Sequence, residues 1–214
     1  MRKLELIEQD YTKRLEQVLD EAWRIFKSQF INKRNEINKE APFQHHFAQI
    51  IKGVGDLYSL NRNDLFKVDL ESMQENVKEK KKYIDITCGF QNRAKCAIEL
   101  KFKTKGQGAQ DIGRMDAYVD IEALEIVTLD KNEYKFGKFY MITDLAAYTK
   151  PFKSECVGNF KFHHEHTIEP GEYIHNSTWK DRKSITVNLR NSYPIQWEKV
   201  KRDETDWFFL ELKV

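Results

Sequence analysis

The chain has 214 residues, 40% of them hydrophobic and 33% charged, which is enough apolar material for one sizeable core and too few residues for two. Its 36 basic and 34 acidic residues leave a formal charge of +2, so bulk electrostatics identify neither a nucleic-acid nor a membrane binder, and only local clustering can build a phosphate-binding surface. No stretch has the length and apolarity of a membrane span, Met1–Asp10 lacks the continuous apolar run of a secretory signal, and Cys88, Cys96 and Cys156 show no CxxC spacing, so a cytoplasmic protein with reduced cysteines is expected.

Apolar residues at Leu4, Ile7, Tyr11, Leu15, Val18, Ala22, Ile25 and Phe26 fall mostly three or four apart, which predicts a long amphipathic helix over Leu4 to Phe30 with a solvated opposite face. A second helix is predicted to open at Ala41-Pro42, where proline suits the first turn, and to run through Phe43, Phe47, Ile50, Ile51 and Val54; Gly53 and Gly55 weaken its end. Alternation at Phe66, Val68 and Leu70 marks a strand. The charged stretch that follows, with Lys78, Lys80, Lys81 and Lys82, reads as a solvated lysine-rich turn. Tyr83 to Gly89 and Ala94 to Phe102 then alternate on either side of Phe90 to Arg93, the pattern of an antiparallel hairpin.

Ile112, Met115, Val119, Ala123 and Ile126 recur at helical spacing, and Phe139 to Thr143 reads as a buried strand. Further strands are expected at Ile185 to Leu189, Ile195 to Val200 and Trp207 to Val214. Neither a repeat nor an interdomain linker interrupts the chain, so residues 1–214 are read as one domain: a helical extension at 1–40, a core at 41–145, and C-terminal strands and loops at 146–214.

With the hairpin centred on Asn92, one face pairs Ile84 with Leu100, Ile86 with Ile98 and Cys88 with Cys96, an apolar set suited to pack on helices. The other face pairs Tyr83 with Lys101, Asp85 with Glu99 and Thr87 with Ala97. Two opposed carboxylates repel, so a positive group is expected between them, and a hard divalent cation takes oxygen ligands of this kind. Glu99 and Lys101 lie two apart on one strand and hence on one face.

Asp85 on one strand followed by Glu99-Leu100-Lys101 on the next resembles the signature of the PD-(D/E)XK nuclease superfamily, over roughly Pro42 to Thr143. Two features depart from that pattern: no proline precedes Asp85, and Gln44 stands where many relatives carry a glutamate on the first core helix. The resemblance implies an α/β fold of restriction-endonuclease-like type, a mixed central sheet flanked by helices. It implies that Asp85, Glu99 and the Leu100 carbonyl hold Mg2+ or Mn2+, that Lys101 orients or activates the attacking water, and that Gln44 and Gln110 contribute polar groups, with Arg114 placed to face a phosphate. DNA is the expected substrate because it is the commoner one in the resembling family. A homodimer is expected because cutting both strands of a duplex is simplest with two equivalent sites. The alternatives are a catalytically inactive nucleic-acid-binding protein that retains the nuclease fold, and an interaction protein that uses its N-terminal helix.

Two further groups have bland readings beside sharper ones. His163, His164, Glu165 and His166 have the composition of a transition-metal site, although such a run more often lies on a surface loop. Trp179, Trp197, Trp207, Phe208 and Phe209 read mainly as core packing, with base stacking as the sharper use.

Overall fold

A computed structural model describes residues 6–78, 80–107, 110–129, 133–151, 159–175 and 184–214. Among these residues three α-helices, α1 (Tyr11–Ile31), α2 (Glu40–Leu57) and α3 (Gln110–Thr128), accompany a six-stranded mixed sheet. In chain order its strands are β1 (Phe66–Val77), β2 (Lys80–Phe90), β3 (Ala94–Lys103), β4 (Phe136–Thr143), β9 (Glu198–Arg202) and β10 (Thr205–Lys213), and in space they run β1-β2-β3-β4-β10-β9. Among the described residues only β3 and β4 pair parallel, and α3 lies in the connection between them. Four short strands, β5 (Thr167–Ile168), β6 (Gly171–His175), β7 (Ile185–Leu189) and β8 (Tyr193–Pro194), form two small ribbons, β5 with β8 and β6 with β7. No helix among the described residues is long and apolar enough to cross a membrane.

Helix α1 begins at Tyr11 because Asp10 caps it, its carboxylate accepting the Lys13 N–H at 2.9 Å. Its apolar stripe and that of α2 cover one face of the sheet: Leu15, Val18, Phe26, Phe43 and Phe47 meet Ile86, Ile98, Leu100, Tyr140 and Phe209 in one cluster. Trp23 is central there, with its ring centroid 4.7 Å from that of Tyr140 and 5.4 Å from that of Phe47. The other face carries α3 and the ribbons, packed through Ile84, Ala97, Tyr118, Ile121, Leu124, Phe139, Met141 and Trp197. All eight residues of β4 are buried, as expected for a strand covered on both sides.

Two buried glutamates on α3 fasten the C-terminal segment. Glu125 accepts the N–H groups of Arg190 and Asn191 at 2.9 Å each and the Tyr193 hydroxyl at 2.6 Å, while Glu122 accepts the Asn188 N–H at 2.7 Å. Of these donors the Tyr193 hydroxyl is buried and would otherwise be an unmatched polar group in the core.

The hairpin register centred on Asn92 holds from Phe90–Ala94 to Ile86–Ile98, and places Cys88 opposite Cys96, both buried and free. Cys156 and Trp179 lie outside the described residues; Trp197, Phe208 and Phe209 are buried in the two cores. Three expectations are corrected. The lysine-rich stretch is no turn over most of its length: β1 continues to Val77 and β2 starts at Lys80, so the two strands form a long ribbon. The pairs Asp85–Glu99, Ile84–Leu100 and Tyr83–Lys101 do not form, because the β2–β3 ladder stops at Ile86–Ile98. Ile84 also turns to the α3 side of the sheet while Ile86 stays on the α1–α2 side. Two residues an even number apart change faces only where the strand is rotated, and opposite this stretch Glu71 has φ 49°, a left-handed kink in β1.

Candidate active site in an opening between two strands

Beyond Ile98 the edge of β3 has lost β2 as its ladder partner, and side chains take over its backbone donors. The Leu100 N–H donates to Asp85 Oδ2 at 2.7 Å, and the Phe102 N–H donates to Glu40 Oε2 at 3.1 Å. The Leu100 carbonyl accepts from the Lys101 ammonium at 3.1 Å. Asp85, from the strand that departs, and Glu40, from the first turn of α2, are thereby aligned along one unpaired strand edge. Gln44 sits one helical turn beyond Glu40 and holds the kink from behind, its amide donating to the Asp85 carbonyl and to Glu71 Oε1, each at 2.7 Å.

Glu99 projects from β3 toward α3 and is only 1% exposed. Burial, then the charges of Asp120 and Asp85, push its pKa well above the ordinary carboxyl value, against the pull of Lys82 and Lys101. Burial raises the Asp85 pKa too, opposed by its hydrogen bond from the Leu100 N–H and by the charge of Lys101. Burial raises Glu40 as well, opposed by Lys101 and by its bond to Phe102.

On the α3 side, Asp120 binds two ammoniums at once, Lys101 at 2.5 Å and Lys82 at 2.8 Å, and Lys82 also reaches Glu99 at 3.1 Å. Burial disfavours charge on Lys101 and Lys82, yet Asp120 and the other acids outweigh it and raise both pKa values, so both remain ammoniums. Asp116, one turn before Asp120, faces Lys103 and Lys101, and its pKa is raised by burial. Lys101 thus stands among Asp120, the Leu100 carbonyl and, at 3.9 Å, Glu40.

Of the residues singled out from sequence, Asp85, Glu99, Leu100 and Lys101 converge here, and Gln44 contributes from the second layer through the Asp85 backbone. Gln110 opens α3, and its side chain lies outside the described residues. Arg114 does not face an open cleft: it is 2% exposed, donates to the Ala147 carbonyl and stacks on Tyr148 at 5.7 Å. His163 and His166 have rings 5.0 Å apart, while His164 Nδ1 accepts the Trp197 N–H at 3.0 Å, away from the opening.

Glu40, Lys82, Asp116 and Asp120 were missed. Glu40 carried a signal, since it lies four residues before Gln44 and therefore on the same helical face. Lys82 did not, because its inward turn follows from the face reversal at Asp85.

No family model, curated protein or solved structure matches this chain. The donors around Asp85 are all oxygens, three carboxyls and a backbone carbonyl, which suits a hard cation and not a thiophilic one. Among the described residues no three His, Cys, Asp or Glu side chains stand at metal-binding geometry. Mg2+ is compatible with that, because it is commonly held by one or two carboxylates, with water and substrate phosphate supplying the rest.

Proposed function

We propose that the protein is a metal-dependent nuclease of restriction-endonuclease-like fold that hydrolyses DNA phosphodiester bonds. One observation carries the reading: where β2 parts from β3, Asp85, Glu99 and Lys101 come together at the unpaired strand edge with Glu40 beside them. Asp85, Glu99 and the Leu100 carbonyl would hold Mg2+ or Mn2+. When bound, the cation acidifies a water ligand and neutralises charge on the phosphate. Asp85 and Glu99 must both be ionised to serve as ligands. Lys101 remains an ammonium, so it donates a hydrogen bond to the attacking water or the phosphate and does not abstract a proton. Gln44 fixes the Asp85 backbone and thus the direction of its carboxylate. A twofold homodimer would present two such sites to the two strands of a duplex.

Purified protein with Mg2+ is expected to nick supercoiled plasmid, and EDTA to stop it. Glu99→Ala and Lys101→Ala should each lower the nicking rate by at least about 100-fold, the scale of one lost electrostatic donor or ligand, with unchanged circular dichroism. Nicking by both variants at the wild-type rate would sink the reading. A second reading, a nucleic-acid-binding protein without turnover, is favoured by the 2.5 Å ion pair that engages Lys101 with Asp120; metal-independent DNA binding without nicking would select it.

A further inference from the structure

The ribbon of β1 and β2 carries four lysines close to the opening, and the structure sorts them into two pairs. Lys78 and Lys82 turn inward: the Lys78 ammonium lies 2.5 Å from Glu122 and donates to the Thr186 carbonyl at 2.6 Å, and Lys82 is bound to Asp120 and Glu99. Both therefore fasten the ribbon to α3 and to the C-terminal segment. Lys80 and Lys81 are exposed, and neither side chain makes an ion pair or side-chain hydrogen bond among the described residues.

Neither ammonium is neutralised by an acid among the described residues, which leaves its charge able to attract phosphate, and fastening the strand removes part of the ordering cost of binding. Lys80 and Lys81 precede Asp85 by five and four residues on the same strand. At roughly 3.4 Å per residue they lie on the order of 14–17 Å from the opening, about the axial rise of four or five nucleotides.

We propose that Lys80 and Lys81 are a phosphate-backbone grip for the DNA substrate, carried on a ribbon that Lys78 and Lys82 anchor beside the opening. The identity of the anion rests on the nuclease reading; the anchoring does not.

The test is equilibrium binding of a fluorescent 20-base-pair duplex to the full chain in EDTA, where no cleavage occurs, across a salt series. Two phosphate contacts contribute about 1.8 to the slope of log K against log salt. Lys80→Ala/Lys81→Ala should lower that slope by about this amount and leave the melting temperature unchanged, whereas Lys13→Ala/Lys67→Ala, with the same loss of charge, should leave it near the wild-type value. An unchanged slope in the first variant, equal losses in both, or a wild-type protein that does not bind the duplex would each overturn the inference. Failure of the nuclease reading looks different: the wild type would bind with the Lys80/Lys81-dependent slope and yet fail to nick plasmid when Mg2+ is added.

Discussion

Replacing Glu99 by its neutral isostere should separate the two things this carboxyl does. Its pKa is raised in the folded protein, so the fold holds a proton that the unfolded chain releases above about pH 4.3. The resulting contribution to stability is complete below that pH and is lost as pH rises toward the folded value. Glu99→Gln does not titrate, so its melting temperature should exceed that of the wild type at pH 8, with the gap closing toward pH 4, while nicking is lost. A variant that melts below the wild type at pH 8 would refute the account of repulsion among Glu99, Asp120 and Asp85. Asp120→Asn should act in the opposite direction. It takes the counter-charge from two ammoniums that retain partial access to water, and a loss of about 1–3 kcal/mol in urea unfolding is expected. A change under about 0.5 kcal/mol would mean that water replaces Asp120 without cost.

At the scale of elements, α1 is tied to the turn before β1 by Arg14 and Asp64, paired at 3.0 Å with both side chains almost fully buried. Burial raises the Asp64 pKa, but the Tyr11 hydroxyl, the Leu60 N–H and Arg14 together bring it below the ordinary aspartate value. A depressed folded pKa stabilises above about pH 4 and loses that stabilisation as pH falls through the folded value. Asp64→Ala should cost about 3–5 kcal/mol at pH 7, the scale of a buried cation stripped of its partner, and a urea midpoint near wild type would contradict it. The two glycines of α2 offer a sharper contrast. A Cβ at Gly55 would fall 2.2 Å from the ring of Phe66, whereas one at Gly53 meets nothing within 4 Å. Gly55→Ala should therefore destabilise by about 1–3 kcal/mol and Gly53→Ala stabilise by about 0.5–1 kcal/mol in the same assay. From sequence the two glycines looked alike, because helix weakening is local and the approach of Phe66 is not. The same division runs through the fold and the site. Helices α2 and α3, the hairpin register around Asn92 and the strand at β4 were legible because periodicity records which face is buried. The rotation at Asp85, which sends Ile84 and Lys82 toward α3, was not, since it arises opposite the Glu71 kink in a neighbouring strand. Asp116 and Asp120 were equally hidden, because acids on a helix look the same whether they meet water or two lysines.

For the molecule as a whole, α1 supplies Leu15, Val18, Leu19, Ala22, Trp23, Phe26 and Phe30 to the core on its side of the sheet. A partner-capturing role for that helix predicts that a chain lacking residues 1–28 keeps its fold and any cleavage; the packing predicts that it loses both. Loss of near-ultraviolet circular dichroism and of cooperative thermal unfolding should follow the truncation, and a sharp melt near the wild-type temperature would show that the core closes without α1. The sheet order has a consequence for biosynthesis. Strand β10 follows every other strand of the sheet in the chain, yet it inserts between β4 and β9. Until it emerges from the ribosome, one flank of the buried strand β4 has no hydrogen-bonding neighbour, and the nascent polypeptide must carry an open, apolar edge while the residues between β4 and β10 are made. Chaperone dependence and inclusion-body formation at high expression rates are the costs to expect from that arrangement.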